Sequence, residues 1–294
     1  MQRIAFIGLG AMGEPMASNL LGKGFPVTVV GNRRPEPVER LRALGASVAG
    51  TPAEAARSCD IALVVLPTSR EVEFVIAGPG GLIEGLAQGT IVVDCSTSDP
   101  ASTRELGRML AERGIGFVDA GLTRGTAGAK DGKLAYFVGG EAADIAKAKP
   151  ALEAMGDTFF VMGPLGSGHA TKVLSNALSY ATVALVGETL MLGGRLGLDP
   201  AALQQALMAG AGSKALEAFG PRIVRRQYDS PRVTIGNVCA HLGIAKSLAG
   251  ATESPLFVTA AAGEVYRWTA MQGHGRSDMA SIAELWAPAT PKAG

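Results

Sequence analysis

At 294 residues the chain exceeds one ordinary domain, and two are expected. Its 27 basic and 26 acidic residues nearly cancel and are interspersed, which argues against a nucleic-acid or membrane surface and leaves any anion site to a local feature. Three cysteines (Cys59, Cys95, Cys239), odd in number and without metal-ligand spacing, are expected as buried thiols of a cytoplasmic, reducing compartment rather than as a disulfide framework or metal site.

The first element is a short apolar strand at 3–7, which reads as structure and not as a signal peptide. Gly8-Leu9-Gly10-Ala11-Met12-Gly13 follows at once, and a helical pattern runs over 14–23. Strand, G-x-G-x-x-G and helix in that order form the context of a dinucleotide fingerprint. Gly8 would allow the tight turn, Gly10 the approach of a pyrophosphate, and Gly13 close packing of helix on strand. The helix start then offers unpaired N–H groups to the phosphates.

A second strand is expected at 27–30, followed by Gly31-Asn32-Arg33-Arg34. NAD-binding forms place an acid about 20 residues beyond the fingerprint, on the ribose 2′-OH. Asn32, Arg33 and Arg34 stand there instead, and arginine suits a 2′-phosphate. NADP is therefore the expected cofactor, with NAD possible; the alternative is a solvated turn.

Further strands are expected at 61–65, 91–94, 116–119, 135–138 and 159–161, with helices at 37–44, 52–56, 70–75, 101–112 and 142–155. That alternation implies βαβ units and a largely parallel sheet. Leu66-Pro67 and Ser96-Thr97 end two of these strands, where ligands bind in such sheets; each reads otherwise as a turn or helix cap.

Beyond residue 168 the strand signal fades. Residues 170–193 read as one long helix, apolar nearly all round and so buried on most faces. Helices follow at 200–207, 214–224, 236–250, 255–272 and 277–287, and the tail Pro288–Gly294 is expected to be disordered. No uninterrupted apolar stretch reaches about 18 residues, so no membrane span is expected. The fold class is thus α/β, with a parallel-sheet nucleotide domain over 1–162 and an all-helical domain over 163–294.

Lys172 follows a glycine-rich turn and opens the long apolar helix. A lysine facing the core there would be costly unless it worked, and burial would bring its pKa toward neutrality, as acid/base chemistry on a hydroxyl requires. Asn176, four residues on, shares its helix face. By themselves the two are more often a solvated face. His169 and His274 lie in glycine-rich loops with no ligand partners nearby in sequence, so no metal site is expected.

Four stretches together carry a resemblance. They are Gly8-Leu9-Gly10-Ala11-Met12-Gly13 continuing to Leu20; Asp119-Ala120-Gly121-Leu122-Thr123-Arg124-Gly125 with Gly132 and Leu134; Gly163-Pro164-Leu165-Gly166-Ser167-Gly168-His169-Ala170-Thr171-Lys172 continuing to Asn176; and residues 263–278. The chain resembles the β-hydroxyacid dehydrogenases, the family of 3-hydroxyisobutyrate dehydrogenase, tartronate semialdehyde reductase and the glyoxylate and succinic semialdehyde reductases. The match runs from residue 3 to about residue 285. The resemblance implies a Rossmann domain, a long interdomain helix and a helical domain that forms a homodimer or homotetramer. It also implies Lys172 as general acid/base, Asn176 as a hydrogen-bonding orienter, and Thr123, Arg124 and Gly125 as the loop that binds a small anionic substrate. Leu66, Pro67 and Thr97 are implied as cofactor contacts.

Two positions depart from that pattern. Where the family has Ser-Gly-Gly, this chain has Thr123-Arg124-Gly125. A guanidinium there could fork onto a carboxylate or sulfonate, as a similar arginine implies for sulfolactaldehyde reductases within the family; otherwise Arg124 faces solvent or the cofactor phosphates. The family's Lys-Asp is replaced by Ala240-His241. The expected function is interconversion of a small 3-hydroxy acid, or similar anionic hydroxy compound, and its aldehyde with NADP. Rivals are an imine reductase, against which Lys172 counts, and a non-catalytic NADP-binding protein.

Overall fold

The computed structural model describes residues 1–286 apart from Arg33, Ser230 and Arg232. The tail Pro288–Gly294 and the cofactor role expected of Arg33 lie outside these residues. The chain divides into two compact units, Met1–Lys172 and Val173–Gly294.

In the first unit, β1 (Ile4–Ile7), β2 (Val27–Val30), β3 (Ser47–Ala49), β4 (Ile61–Val64), β5 (Ile91–Asp94), β6 (Gly116–Thr123), β7 (Leu134–Gly139) and β8 (Gly156–Gly163) form one sheet. Its order is β3-β2-β1-β4-β5-β6-β7-β8. Neighbouring strands are parallel except β6 and β7, which are antiparallel. Helices α1 (Gly13–Gly22), α2 (Glu36–Ala43), α3 (Pro52–Ala56), α4 (Ser69–Ala77), α5 (Pro100–Ala111), α6 (Gly125–Lys130) and α7 (Ala142–Glu153) complete the unit.

Every residue of β1, β4 and β5 is buried because both sheet faces are covered. Phe6, Leu63 and Val93 pack with Met16 and Leu20 of α1 and Leu152 of α7. Their neighbours Ala5, Ile7, Ala62, Val64 and Val92 pack on the other face with Val72 and Ile76 of α4 and Leu106 and Leu110 of α5.

Two differences from the sequence expectation matter. The short edge strand β3, largely exposed, carries too few apolar residues to show a period. β6 runs on past residue 119 to Thr123 because β5 stops at Asp94, opposite Asp119, while β7 pairs onward from Asp119 to Thr123. Tertiary pairing, invisible to local pattern, thus carries Thr123 on a strand.

The long helix α8 (Ser167–Arg195) begins in the first unit. The buried Asp119 carboxylate accepts the Gly166 N–H at 2.7 Å on one oxygen and the His169 N–H at 2.6 Å on the other. A Cβ at Gly168 would stand 2.3 Å from the Phe137 carbonyl oxygen, so glycine is required where α8 meets the sheet. His169 is fully buried, its Nδ1 2.8 Å from Thr103 Oγ1 and its Nε2 3.2 Å from the Asp94 carbonyl. These contacts draw the compact boundary to Lys172, later than the 162/163 division expected from pattern.

In the second unit, the rest of α8 is followed by α9 (Pro200–Ala211), α10 (Lys214–Val224), α11 (Ile235–Ala251) and α12 (Phe257–Thr269), then a short turn to a 3-10 segment at Met279–Trp286. Gly273, at φ 94°, ends the continuous helix expected over 255–272. Val173, Tyr180 and Val183 pack on Val238 and Leu242 of α11 and Tyr266 of α12, and Leu190 on Leu216 and Ile223 of α10. By length and composition alone α8 could cross a membrane, yet half of that stretch is buried in the protein. One face of α8, carrying Leu174, Leu178, Leu185 and Leu192, is exposed, and most of its other positions are buried or partly buried.

Replacing Asp119 by Ala should destabilise the α/β unit by about 2–4 kcal/mol, because two buried N–H groups lose their acceptor at a helix start. Asp119→Asn should cost most of this, since its NH2 would face a donor. Urea unfolding followed by far-UV circular dichroism measures both, and unchanged midpoints would overturn the assignment.

Candidate active site

The glycines of the fingerprint divide their work as their spacing predicts. Gly8 has φ 104°, and a Cβ on it would lie 2.1 Å from the Val65 carbonyl oxygen. A Cβ on Gly13 would lie 1.8 Å from the Gly8 carbonyl oxygen, so the loop closes only with glycine at both ends. Above Gly10 nothing stands within 4 Å of that position, which leaves open the face a phosphate would approach. No side chain caps α1, and the Glu14 N–H is taken by the Gly10 carbonyl at 3.1 Å, so the N–H groups a phosphate could use are those of the loop that leads into the helix. The cradle fits a dinucleotide pyrophosphate.

The other cofactor candidates follow the carboxyl ends of neighbouring strands: Asn32 and Arg34 after β2, Leu66 and Pro67 after β4, and Thr97 after β5. Asn32 and Arg34 are exposed. The acid at the start of α1, Glu14, is gripped by Arg40 at 2.6 and 2.9 Å; that hydrogen bond, with a weaker pull from Arg34, holds its carboxyl below the usual range. The Leu66 N–H donates to Ser96 Oγ at 2.9 Å, while the Ser96 N–H and Ser98 hydroxyl donate to Asp94, tying the β4 and β5 ends together. Thr68, next to Pro67, caps α4 reciprocally with Glu71.

At the end of β6, Thr123 is partly buried and Gly125 is exposed with φ 61°. Arg124 lies between them at φ 76°, a left-handed conformation that costs a non-glycine residue roughly 1 kcal/mol. Its guanidinium is taken up locally: it donates to Asp157 at 2.5 Å, to Thr158 Oγ1 at 2.8 Å and to the Lys133 carbonyl at 2.8 Å. This side chain, for which sequence leaves the substrate anion, the cofactor phosphates and solvent all open, is engaged here at the start of β8. The partner is a carboxylate two strands away in the sheet, which pattern along the chain does not reveal.

Lys172 stands on α8 where β6 lacks a side chain. A Cβ at Gly121 would fall 2.6 Å from the Lys172 Cβ, so the lysine stem needs a glycine at that point. Burial alone lowers its ammonium from 10.5 to about 8, a penalty of roughly 3 kcal/mol on the charged form. One turn on, Asn176 is buried, its amide Nδ2 3.2 Å from His241 Nδ1 on α11. Tyr180, a further turn along, brings its hydroxyl within 2.9 Å of the same nitrogen. Sequence reasoning passed over Tyr180, although 172, 176 and 180 share one helical face.

Among the described residues, no group of three or more His, Cys, Asp or Glu could hold a metal ion. Cys59 and Cys95 are buried, and burial pushes the Cys59 thiol up to about 11, so it is not poised as a nucleophile.

Comparison with known proteins follows this geometry. Residues 3–163 match the model of the NAD-binding domain of 6-phosphogluconate dehydrogenase, and residues 166–286 that of the NAD-binding region of NADP-dependent 3-hydroxyisobutyrate dehydrogenase. The chain is 36% identical to an NAD-dependent L-serine dehydrogenase of Pseudomonas aeruginosa, over 98% of this chain and 99% of that protein. It is 34% identical to a 2-(hydroxymethyl)glutarate dehydrogenase of Eubacterium barkeri, over 97% and 94%. A solved 3-hydroxyisobutyrate dehydrogenase of Mycobacterium tuberculosis, studied with L-serine, superposes with a TM-score of 0.85 at 26% identity, over 97% of this chain and 99% of that one. A glycine cradle for a dinucleotide, a depressed lysine on the long helix and full-length likeness to such enzymes agree: the chain belongs to the β-hydroxyacid dehydrogenase family of nicotinamide-dependent oxidoreductases.

Proposed function

We propose that the protein interconverts a small 3-hydroxy acid, or a similar anionic hydroxy compound, and its aldehyde, with NADP as the preferred cofactor. The observation that carries the proposal is Lys172, brought to about 8 by burial and followed one turn later by a buried amide, Asn176. When bound, the nicotinamide accepts or supplies the hydride; the proton is left to the protein. In oxidation, neutral Lys172 Nζ takes the hydroxyl proton as the carbonyl forms. In reduction, its ammonium returns that proton to the forming alkoxide. Asn176 orients the reacting oxygen. Thr123, with a hydroxyl at the end of β6, and the Gly125 backbone are proposed to receive the anion, while Arg124 remains on Asp157. The substrates in the relatives' names, L-serine and 2-(hydroxymethyl)glutarate, support a hydroxy acid.

Lys172→Ala should lower turnover by roughly 10²–10⁴ with little change in cofactor affinity. In the unmutated protein, oxidation should rise with pH to a plateau above about 8, where Lys172 is neutral, and reduction should fall above about 8, where its proton is lost. A variant that keeps most of its turnover would remove Lys172 from the mechanism.

The cofactor preference rests on Arg34, exposed after β2, and on Arg33 beside it in sequence. NADP should bind at least about tenfold tighter than NAD, a difference of about 1.4 kcal/mol. Changing both arginines to Ala should narrow that gap. Equal affinities in titrations of the unmutated protein would defeat the preference.

We further propose a homodimer or homotetramer that covers the exposed leucines of α8, whose spacing at 174, 178, 185 and 192 makes one apolar stripe. Leu185→Glu combined with Leu192→Glu should reduce the assembly to monomers in light scattering. A monomeric unmutated protein would overturn it.

A further inference from the structure

His241 stands on α11, and its surroundings give it a defined task. Two side chains converge on its Nδ1: the Tyr180 hydroxyl at 2.9 Å and the Asn176 amide nitrogen at 3.2 Å. The rings of Tyr180 and His241 are nearly parallel, 12° apart with centroids at 6.0 Å. Because the Nδ1 lone pair lies in the imidazole plane, this arrangement suits a phenol donating into it.

Burial pushes the Tyr180 phenol well above its usual value, so it stays a protonated donor. Among the described residues its hydroxyl has no acceptor other than His241. A buried hydroxyl without an acceptor is costly, so Nδ1 must accept and the proton of the neutral ring lies on Nε2. An accepting Nδ1 faces a donor, not a carbonyl oxygen, on Asn176. It therefore holds one N–H of that amide and fixes the amide's orientation, which sets where its second N–H and its Oδ1 point.

We infer that His241 is a positioning residue for the proposed reaction: with Tyr180 it locks the orientation of the Asn176 amide that meets the reacting oxygen. The inference rests on the reading of Lys172 and Asn176 as the site of proton transfer.

Two substitutions separate this from a packing role. His241→Phe keeps a flat ring beside Tyr180 but removes the acceptor. His241→Asn loses the ring but places a carbonyl oxygen near the former Nδ1. With turnover of a panel of 3-hydroxy acids as the measurement, His241→Phe should lower kcat by about tenfold, the scale of one lost hydrogen bond to a positioned group, with KM within about twofold. His241→Asn should recover most of the loss, and in an Asn176→Ala background His241→Phe should have no further effect. Retained activity in the Phe variant with loss in the Asn variant, or full additivity with Asn176→Ala, would overturn the inference while leaving the proposed reaction standing.

A second measurement does not need activity. In nitrogen-15 spectra of the unmutated protein, Nδ1 of His241 should resonate as an unprotonated nitrogen and should shift in Tyr180→Phe. A protonated Nδ1 overturns the inference. Absence of turnover on any hydroxy acid, with the nitrogen spectra as expected, would instead overturn the proposed reaction and leave the lock on Asn176 intact.

Discussion

The Asp119 carboxylate is the constraint on which the site depends. It ends the parallel pairing of β6 with β5, begins the antiparallel pairing with β7, and accepts two backbone N–H groups at the start of α8. A helix start exposes unpaired donors and a positive end of the dipole, so a buried carboxylate there satisfies both at once. Fixing the first turn fixes the phase of the helix. Lys172 then falls opposite Gly121, the position on β6 where no side chain stands in its way. The fully buried His169, bridging Thr103 and the Asp94 carbonyl, anchors the same turn from the β5 side. Both ring nitrogens are taken up in that network.

That phase has an energetic consequence. Desolvation disfavours the Lys172 ammonium by roughly 3 kcal/mol, with no acid among the causes of its lowered pKa. An ion-paired lysine would stay charged and could act only as an acid. A desolvated one exchanges its proton near neutrality, as an acid/base group working in both directions of a reversible reaction must. The stability forgone at this position is offset by the packing of the strands and helices around it.

The loop after β6 shows how a strand two places away in the sheet engages a side chain. Arg124 occupies a backbone conformation that favours glycine, and its guanidinium is spread over Asp157, Thr158 and a carbonyl. The ion pair is partly exposed and so contributes little stability by itself, but together with the two neutral contacts it directs the guanidinium to the β8 side. The polar groups left at this point of the loop are the Thr123 hydroxyl and the backbone.

Periodicity and residue chemistry along the chain determined the alternating α/β half, the all-helical half and the glycine cradle, because each follows from neighbours within one or two turns or a single strand–turn–helix unit. Gly8, Gly10 and Gly13 could be assigned separate roles from spacing alone, and the i, i+4 spacing of Lys172 and Asn176 put both on one helix face. Only tertiary structure decided which side chains satisfy those residues. The extension of β6 to Thr123 depends on β7, the engagement of Arg124 on Asp157 of β8, and the convergence of Asn176 and Tyr180 on His241 of α11. These partners lie 33, 65 and 61 residues apart in the last three contacts, beyond the reach of any local period. A buried polar group must find its partner wherever the fold brings one, and that choice is made in space, not along the chain.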